Sequence, residues 1–352
     1  MNIKKIIKSI SILSLSLIMG INMTGCGAGK DSSKVLNVYN VGDYIDESLI
    51  DEFEEQTGIK VQYSTYDTNE MMYQKVKSGS TKYDLVFPSD YMIQKMSREG
   101  LLKKINFNNI PNYKYIDKEF RNVKYDPTNE YSVPYMWGTL GIVYNKSMVK
   151  DPVDSWDILW NDKYRRNILM FDSVRDTIGV SLKRLGFSMN SVNRMELRDA
   201  KRELIKQKPK LLAYVNDDGK DRMVAGEAAL GIFYSGDVGM MKEENPDLEY
   251  VLPKEGSNIW TDGICIPKTA DNEEWAEAFI NFLCDPDVAA RNTEYIAYST
   301  PITEARKKLP EEMRNDPTLY PDKKLLEKCE AYLDLEKNIK LYDKAWIEIK
   351  SN

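Results

Sequence analysis

The chain has 352 residues, 42% hydrophobic and 30% charged, with a net charge of −6 and no histidine. That length supports two lobes or one large domain, and the acidic balance argues against nucleic acid or an anionic membrane surface as partner. Without histidine, Ser-His-Asp and Cys-His catalysis and His-containing zinc sites are excluded, which leaves a Ser–Lys hydrolase or a paired-carboxylate glycosidase as the enzyme classes.

The chain opens on a basic stretch (Lys4, Lys5, Lys8), then an apolar, serine-dotted run from Ser9 to Ile21, then Met23-Thr24-Gly25-Cys26. The apolar run is short for a bilayer span, so residues 1–25 read as a secretory signal. Small residues before a cysteine resemble the bacterial lipobox, which makes Cys26 the expected lipidation site. Residues 26–34 read as a lipidated, flexible tether. An extracytoplasmic protein held to the cell membrane by its N-terminal lipid is expected, periplasmic where the cell has an outer membrane. Three further thiols, Cys265, Cys284 and Cys329, are an odd number and imply no complete disulfide framework. Cys265 reads as a buried small apolar residue.

Beyond the tether, strands and helices alternate. Strands are expected at Val35–Tyr39, Ile59–Ser64 and Tyr83–Phe87, with helices at Asp46–Thr57, Asn69–Lys77 and Met92–Gly100. Gly58 and Gly100 read as helix stops. A second series follows Trp137: a strand at Leu140–Tyr144, a helix carrying Trp156 and Trp160 as core residues, and a strand at Ile168–Phe171. Helices at Asp176–Leu185 and Val192–Lys206 precede strands at Leu212–Val215 and Ala229–Phe233. Helices at Asn272–Cys284 and Pro286–Glu294 lead into a tail, from Thr303, that reads as largely helical. The order predicts an α/β fold of two lobes, each a mostly parallel sheet flanked by helices, with the ligand in the interlobe cleft. The expected boundaries are 35–138 plus 262–303 for lobe one and 139–261 plus 304–352 for lobe two.

Four apolar runs stop at a loop that carries an aromatic residue and an aspartate: Asp43-Tyr44, Asp90-Tyr91, Tyr234 with Asp237, and Trp260 with Asp262. Aromatic faces attract a cation through the ring quadrupole, and carboxylates attract it by charge and hydrogen bonding. The repeated pairing describes a pocket for a small molecule carrying ammonium groups. Asp43 and Asp90 read equally well as helix caps or turn residues, and Tyr234 and Tyr298 also fit core tyrosines. Ser147-Met148-Val149-Lys150 matches S-x-x-K, but no S-D-N or K-T-G accompanies it. No Gly-rich phosphate or dinucleotide loop is present, so no cofactor is expected.

The runs Val38-Tyr39-Asn40 with Asp43-Tyr44, Thr57-Gly58-Ile59-Lys60-Val61 and Tyr83-Asp84-Leu85-Val86 with Pro88-Ser89 carry a family resemblance. So do Ser132-Val133-Pro134-Tyr135-Met136-Trp137-Gly138, Pro253-Lys254-Glu255-Gly256, Trp260-Thr261-Asp262 and Tyr298-Ser299-Thr300-Pro301. In this order, over nearly the whole mature chain, they are similar to the spermidine/putrescine-binding proteins of bacterial ABC importers. The resemblance implies a two-lobed periplasmic-binding-protein fold and a non-catalytic receptor that passes a polyamine to permease subunits, without cofactor or metal. It carries ligand contact onto Tyr44, Ser89, Tyr91, Asp176, Tyr234, Trp260, Asp262 and Tyr298, with Asp43 and Asp237 at positions that are acidic in putrescine-type members.

Three departures bear on the preferred polyamine. Val41 stands where the family usually has Trp, Ser173 where spermidine-type members place Asp, and Tyr332 where that type uses Gln. Loss of a carboxylate at Ser173 and gain of one at Asp237 tilt the pattern toward putrescine. The rival functions are a receptor for iron or sugar on the same fold and a surface hydrolase. No adjacent tyrosine pair of the ferric kind is present, and spaced carboxylates suit amines better than sugars.

Overall fold

Period-two alternation builds the first sheet. Strands β1 (Val35–Val41), β2 (Lys60–Tyr66) and β3 (Leu85–Val86) pair in parallel in the order β2-β1-β3. Leu36, Val38, Leu85 and Phe87 join the core on one side, while Tyr39 and Val86 join the core on the other. The computed structural model describes residues 34–352, so the leader, Cys26 and the tether up to Ser33 lie outside the described residues.

Helices α1 (Glu47–Thr57), α2 (Asn69–Ser78) and α3 (Asp90–Arg98) connect and cover this sheet. Asp46 caps α1 by accepting from the Ser48 N–H, and Gly58 ends it in the left-handed conformation at φ 69°, where a β-carbon would be strained. The buried face of α1 is Leu49, Ile50 and Phe53, and Phe53 meets Phe279 edge-on at 4.9 Å. Truncating a side chain so enclosed costs about 3–5 kcal/mol.

Strand β4 (Val133–Asn145) crosses from one lobe to the other. Its first half pairs antiparallel with a late strand, through a bulge between Pro134 and Met136, and its second half enters the second sheet. That sheet contains β5 (Ile168–Phe171), β6 (Ala213–Val215), β7 (Leu230–Tyr234) and β8 (Leu248–Val251), in the order β6-β5-β7-β4-β8. β5 runs parallel to β6 and β7, and β4 runs antiparallel to β7 and β8. The late strand is β9 (Ile259–Ile264), which returns the chain to the first lobe, where Cys265 bridges to Val86.

Helices α4 (Val174–Arg184), α5 (Arg194–Gln207) and a C-terminal helix (Ile339–Ser351) cover one face of the second sheet, and α6 (Asp218–Val224) and α7 (Asp237–Glu244) the other. Helices α8 (Glu273–Leu283) and α9 (Pro286–Ile296) seal the first core with Phe279, Ile280 and Val288.

Four expectations change. Trp156–Trp160 forms a short 3-10 helix, started by the Ser155 cap and stopped where Asn161 caps the next turn. Both tryptophans are core residues. The tail has only single helical turns before Ile339, because Pro310, Pro317 and Pro321 interrupt it. The segment from 304, expected with lobe two, adds Ala305 and Leu309 to the first core, and the chain rejoins the second core at Leu335. Trp260 and Asp262 lie within β9 rather than in a loop. Cys265 is fully buried, and Cys265, Cys284 and Cys329 are free thiols.

Candidate ligand-binding site

Because β3 lies beside β1 on the side away from β2, the connections leaving β1 and β3 diverge, and such a switch point opens a crevice at the carboxyl ends of the strands. The loop after β1 supplies Tyr44, and the turn after β3 supplies Ser89. Tyr44 is held from behind: the Tyr135 hydroxyl donates to its carbonyl at 2.6 Å, and Asn292 donates to the Tyr135 hydroxyl at 2.7 Å. Ser89 is pinned by Asn69, whose Nδ2 donates to Oγ and whose Oδ1 accepts from the Ser89 N–H, both at 3.0 Å. Ser89 bridges to Asp262 on β9.

Trp260 and Asp262 alternate with Thr261, so both face the cleft while Thr261 is buried behind. The Tyr44 hydroxyl donates to Asp262 Oδ2 at 2.7 Å. The other oxygen, Oδ1, is enclosed and has no hydrogen-bond partner, and neither has the enclosed indole N–H of Trp260. Burial pushes the Asp262 carboxyl up to about 6, against the lowering effect of the Ser89 and Tyr44 hydroxyls. An orphaned carboxylate oxygen of this kind is costly unless a cation meets it.

Rings join these groups across the lobes. Tyr298 lies edge-on to Tyr44 at 5.5 Å and to Trp260 at 5.4 Å, and Trp260 meets Tyr234, at the end of β7, at 6.3 Å. Two glycines make this closeness possible. A β-carbon on Gly236 would stand 1.7 Å from the Tyr298 ring, and one on Gly138 would stand 2.5 Å from Trp260.

On the second lobe, the Tyr234 hydroxyl donates to Asp176 Oδ2 at 2.9 Å and the Tyr332 hydroxyl to Asp176 Oδ1 at 3.1 Å. Ser173 caps α4, accepting from the Asp176 N–H and donating its hydroxyl to Asp176 Oδ2 at 2.6 Å. Asp237 opens α7; its Oδ1 accepts from the Tyr298 hydroxyl at 3.2 Å and lies 3.5 Å from Lys220 Nζ. Burial raises the Asp237 carboxyl, while Lys220 and Tyr298 pull it down. Burial, reinforced by neighbouring carboxylates, holds the Tyr44, Tyr234, Tyr298 and Tyr332 hydroxyls protonated.

Tyr44, Ser89, Asp176, Tyr234, Asp237, Trp260, Asp262 and Tyr298 therefore form one connected set. Asp43 does not join it: it is an exposed turn residue held at φ 52°, in the left-handed region that suits a tight turn. Tyr91 stands at the edge, its hydroxyl donating to Glu70 at 3.0 Å. Asp90 is buried on the Thr261 side of β9; its Oδ1 accepts from the Tyr91 N–H, its Oδ2 has no partner, and burial pushes its carboxyl well up.

Sequence reasoning missed the supports Asn69, Tyr135 and Asn292, and it missed Lys220. It also missed a clasp between the lobes. The Asp334 N–H donates to Gln94 Oε1 at 2.8 Å, and Arg98 pairs with Asp334 and, at 3.3 Å, with Glu336. Spacing on α3 carries the only signal, since Gln94 and Arg98 share a helix face.

Two lobes joined by crossing strands, with a polar and aromatic cleft between them, define a solute receptor of the periplasmic-binding-protein type. Residues 48–321 match the family of bacterial extracellular solute-binding proteins, and the chain belongs to that family, which is one of receptors rather than enzymes. It is 38% identical over 327 residues to the spermidine/putrescine-binding periplasmic protein of Salmonella typhimurium, covering 92% of this chain and 94% of that one. The putrescine-binding periplasmic protein SpuD of Pseudomonas aeruginosa is 32% identical over 357 residues, covering 96% and 97%. Among solved structures, the spermidine/putrescine ABC transporter substrate-binding protein PotD of Streptococcus pneumoniae superposes with a TM-score of 0.86 at 43% identity, covering 91% of this chain and 99% of that one.

Proposed function

We propose that this protein captures a linear polyamine, putrescine or spermidine, outside the cytoplasm and delivers it to the membrane subunits of an ABC importer. The observation that carries the reading is Asp262 Oδ1, an enclosed carboxylate oxygen without a partner, on a side chain that joins the Tyr44, Trp260 and Tyr298 ring cluster through the Tyr44 hydroxyl. An ammonium group supplies both the missing charge and the missing donor. Asp176, on the opposite lobe, offers a second carboxylate behind Tyr234, and the aromatic walls between them suit a methylene chain. The relatives named for spermidine and putrescine support the same class of ligand.

In this reading Tyr44, Ser89, Asp176, Tyr234, Asp237, Trp260, Asp262 and Tyr298 contact the ligand, with Tyr91 at the rim and no catalytic step. The lipid on Cys26 keeps the receptor near its importer. Calorimetric titration with putrescine, cadaverine, spermidine, spermine and maltose tests it. A polyamine at about a hundred times its dissociation constant adds about 2.7 kcal/mol to stability. Absence of any rise in melting temperature with millimolar putrescine or spermidine would refute it.

A further inference from the structure

We propose that Lys220 is an internal ammonium that competes with the ligand for Asp237 and thereby biases the site toward diamines over triamines. The proposal deepens the polyamine reading and rests on it. Asp237 is one of three carboxylates in the connected set, with Asp176 and Asp262, and among the described residues Lys220 is the one cation paired with any of them. Its Nζ lies 3.5 Å from Asp237 Oδ1, the oxygen that also accepts from Tyr298 across the cleft. The ammonium therefore sits where the end of a ligand lying along the Trp260–Tyr298 wall would place its own charge.

Charge bookkeeping in the cleft then favours a dication. Three carboxylates less one lysine leave two without a paired cation, Asp176 and Asp262, since the guanidinium of Arg175 beside Asp176 is taken up by the Leu333 carbonyl and Asn190. A diamine neutralises both and leaves the Lys220–Asp237 pair intact. A triamine brings a third ammonium, which gains a carboxylate only by displacing Lys220. Lys220 is tethered on α6, next to α7, so it re-forms its pair at a high effective concentration, in the millimolar range for short flexible tethers. Displacement has a ready destination: Asp217 Oδ1, on the fully exposed side, is already 3.6 Å from Lys220 Nζ. Asp90 does not enter the count, because it is enclosed on the Thr261 side of β9.

The test replaces Lys220 in the full-length protein with Met, which keeps the apolar stem, and titrates putrescine and spermidine by calorimetry. Lys220→Met is expected to strengthen spermidine by about tenfold while putrescine changes by less than about twofold; Lys220→Arg keeps the wild-type ratio. A second readout is the Asp237 carboxyl resonance followed through a pH titration. It should titrate higher in Lys220→Met, whereas a lysine that only packs α6 would leave it unmoved. An unchanged ratio of the two affinities, equal gains for both ligands, or an unmoved Asp237 titration overturns the proposal. Wild-type protein that binds neither polyamine overturns the polyamine reading as well, which separates the two failures.

Discussion

Asp262→Asn separates what the site does for binding from what it does to stability. The substitution keeps the shape of the side chain and removes its charge. For the ligand, loss of a carboxylate that meets a desolvated ammonium costs about 2–5 kcal/mol, or roughly thirtyfold to several thousandfold in affinity. For the ligand-free protein the sign reverses. Burial lifts the Asp262 carboxyl from 3.8 to about 6, so the folded state holds its proton more tightly than the unfolded state does. Stability falls as pH rises from about 4 to about 6, and the loss is complete above that window. A rise of that size is worth about 3 kcal/mol, an upper bound because Asp262 keeps part of its surface open to solvent. Burial and Asp262 together raise the neighbouring Asp90, so removing the charge relaxes Asp90 in the same direction. Ligand-free Asp262→Asn should therefore be more stable than wild type at pH 7.5, by up to about 3 kcal/mol, and nearly equal at pH 4. Urea unfolding at both pH values, with titration of putrescine and spermidine at pH 7.5, gives all the quantities. A variant that is less stable than wild type at pH 7.5, or that binds both ligands unchanged, would refute the reasoning.

Gly236→Ala places a methyl group 1.7 Å from the Tyr298 ring, and displacement of that ring should lower affinity for every polyamine at least about tenfold in calorimetry. Arg98→Ala removes a half-exposed ion pair outside the pocket, worth about 0.2–1 kcal/mol, so putrescine and spermidine should weaken by the same factor of up to about fivefold. A changed ratio between the two would show that Arg98 acts on the pocket. Cys26→Ala should leave the protein uncleaved or released from membranes, read by fractionation and the mass of the mature chain.

The sequence shows the site through composition along single strands and fails where the chemistry depends on direction. Trp260 and Asp262 were legible as one more aromatic beside an acid at the end of an apolar run; that they sit two apart on one face of β9 emerges only from the fold. Asp43 and Asp90 carry the same aromatic–acid signature, yet one lies at an exposed left-handed turn and the other behind β9. No local pattern states which way a turn residue faces. Asp237 was legible as an added carboxylate, but its neutralisation by Lys220 was not, because the two are 17 residues apart and meet only once α6 packs beside α7. Alternation fixed the sheet elements well, as at Leu36, Val38 and Tyr39. Helical spacing misled at Trp156–Trp160 only in helix type, since a 3-10 helix puts the same two rings into the core.

The crossing of β4 also dictates an order of events during synthesis and folding. Phe279, Ile280 and Val288, which close the core over Leu36 and Leu85, follow the whole of the second sheet in sequence. The second core in turn waits for Leu335, Tyr342 and Ile349 at the end of the chain. Neither lobe is complete until its last segments arrive, and contacts across such long sequence separations form slowly. A nascent chain stopped at residue 258 would hold β1, β2 and β3 with the Leu36–Phe87 face covered only in part, by α1, and open where α8 and α9 belong, a surface prone to aggregation.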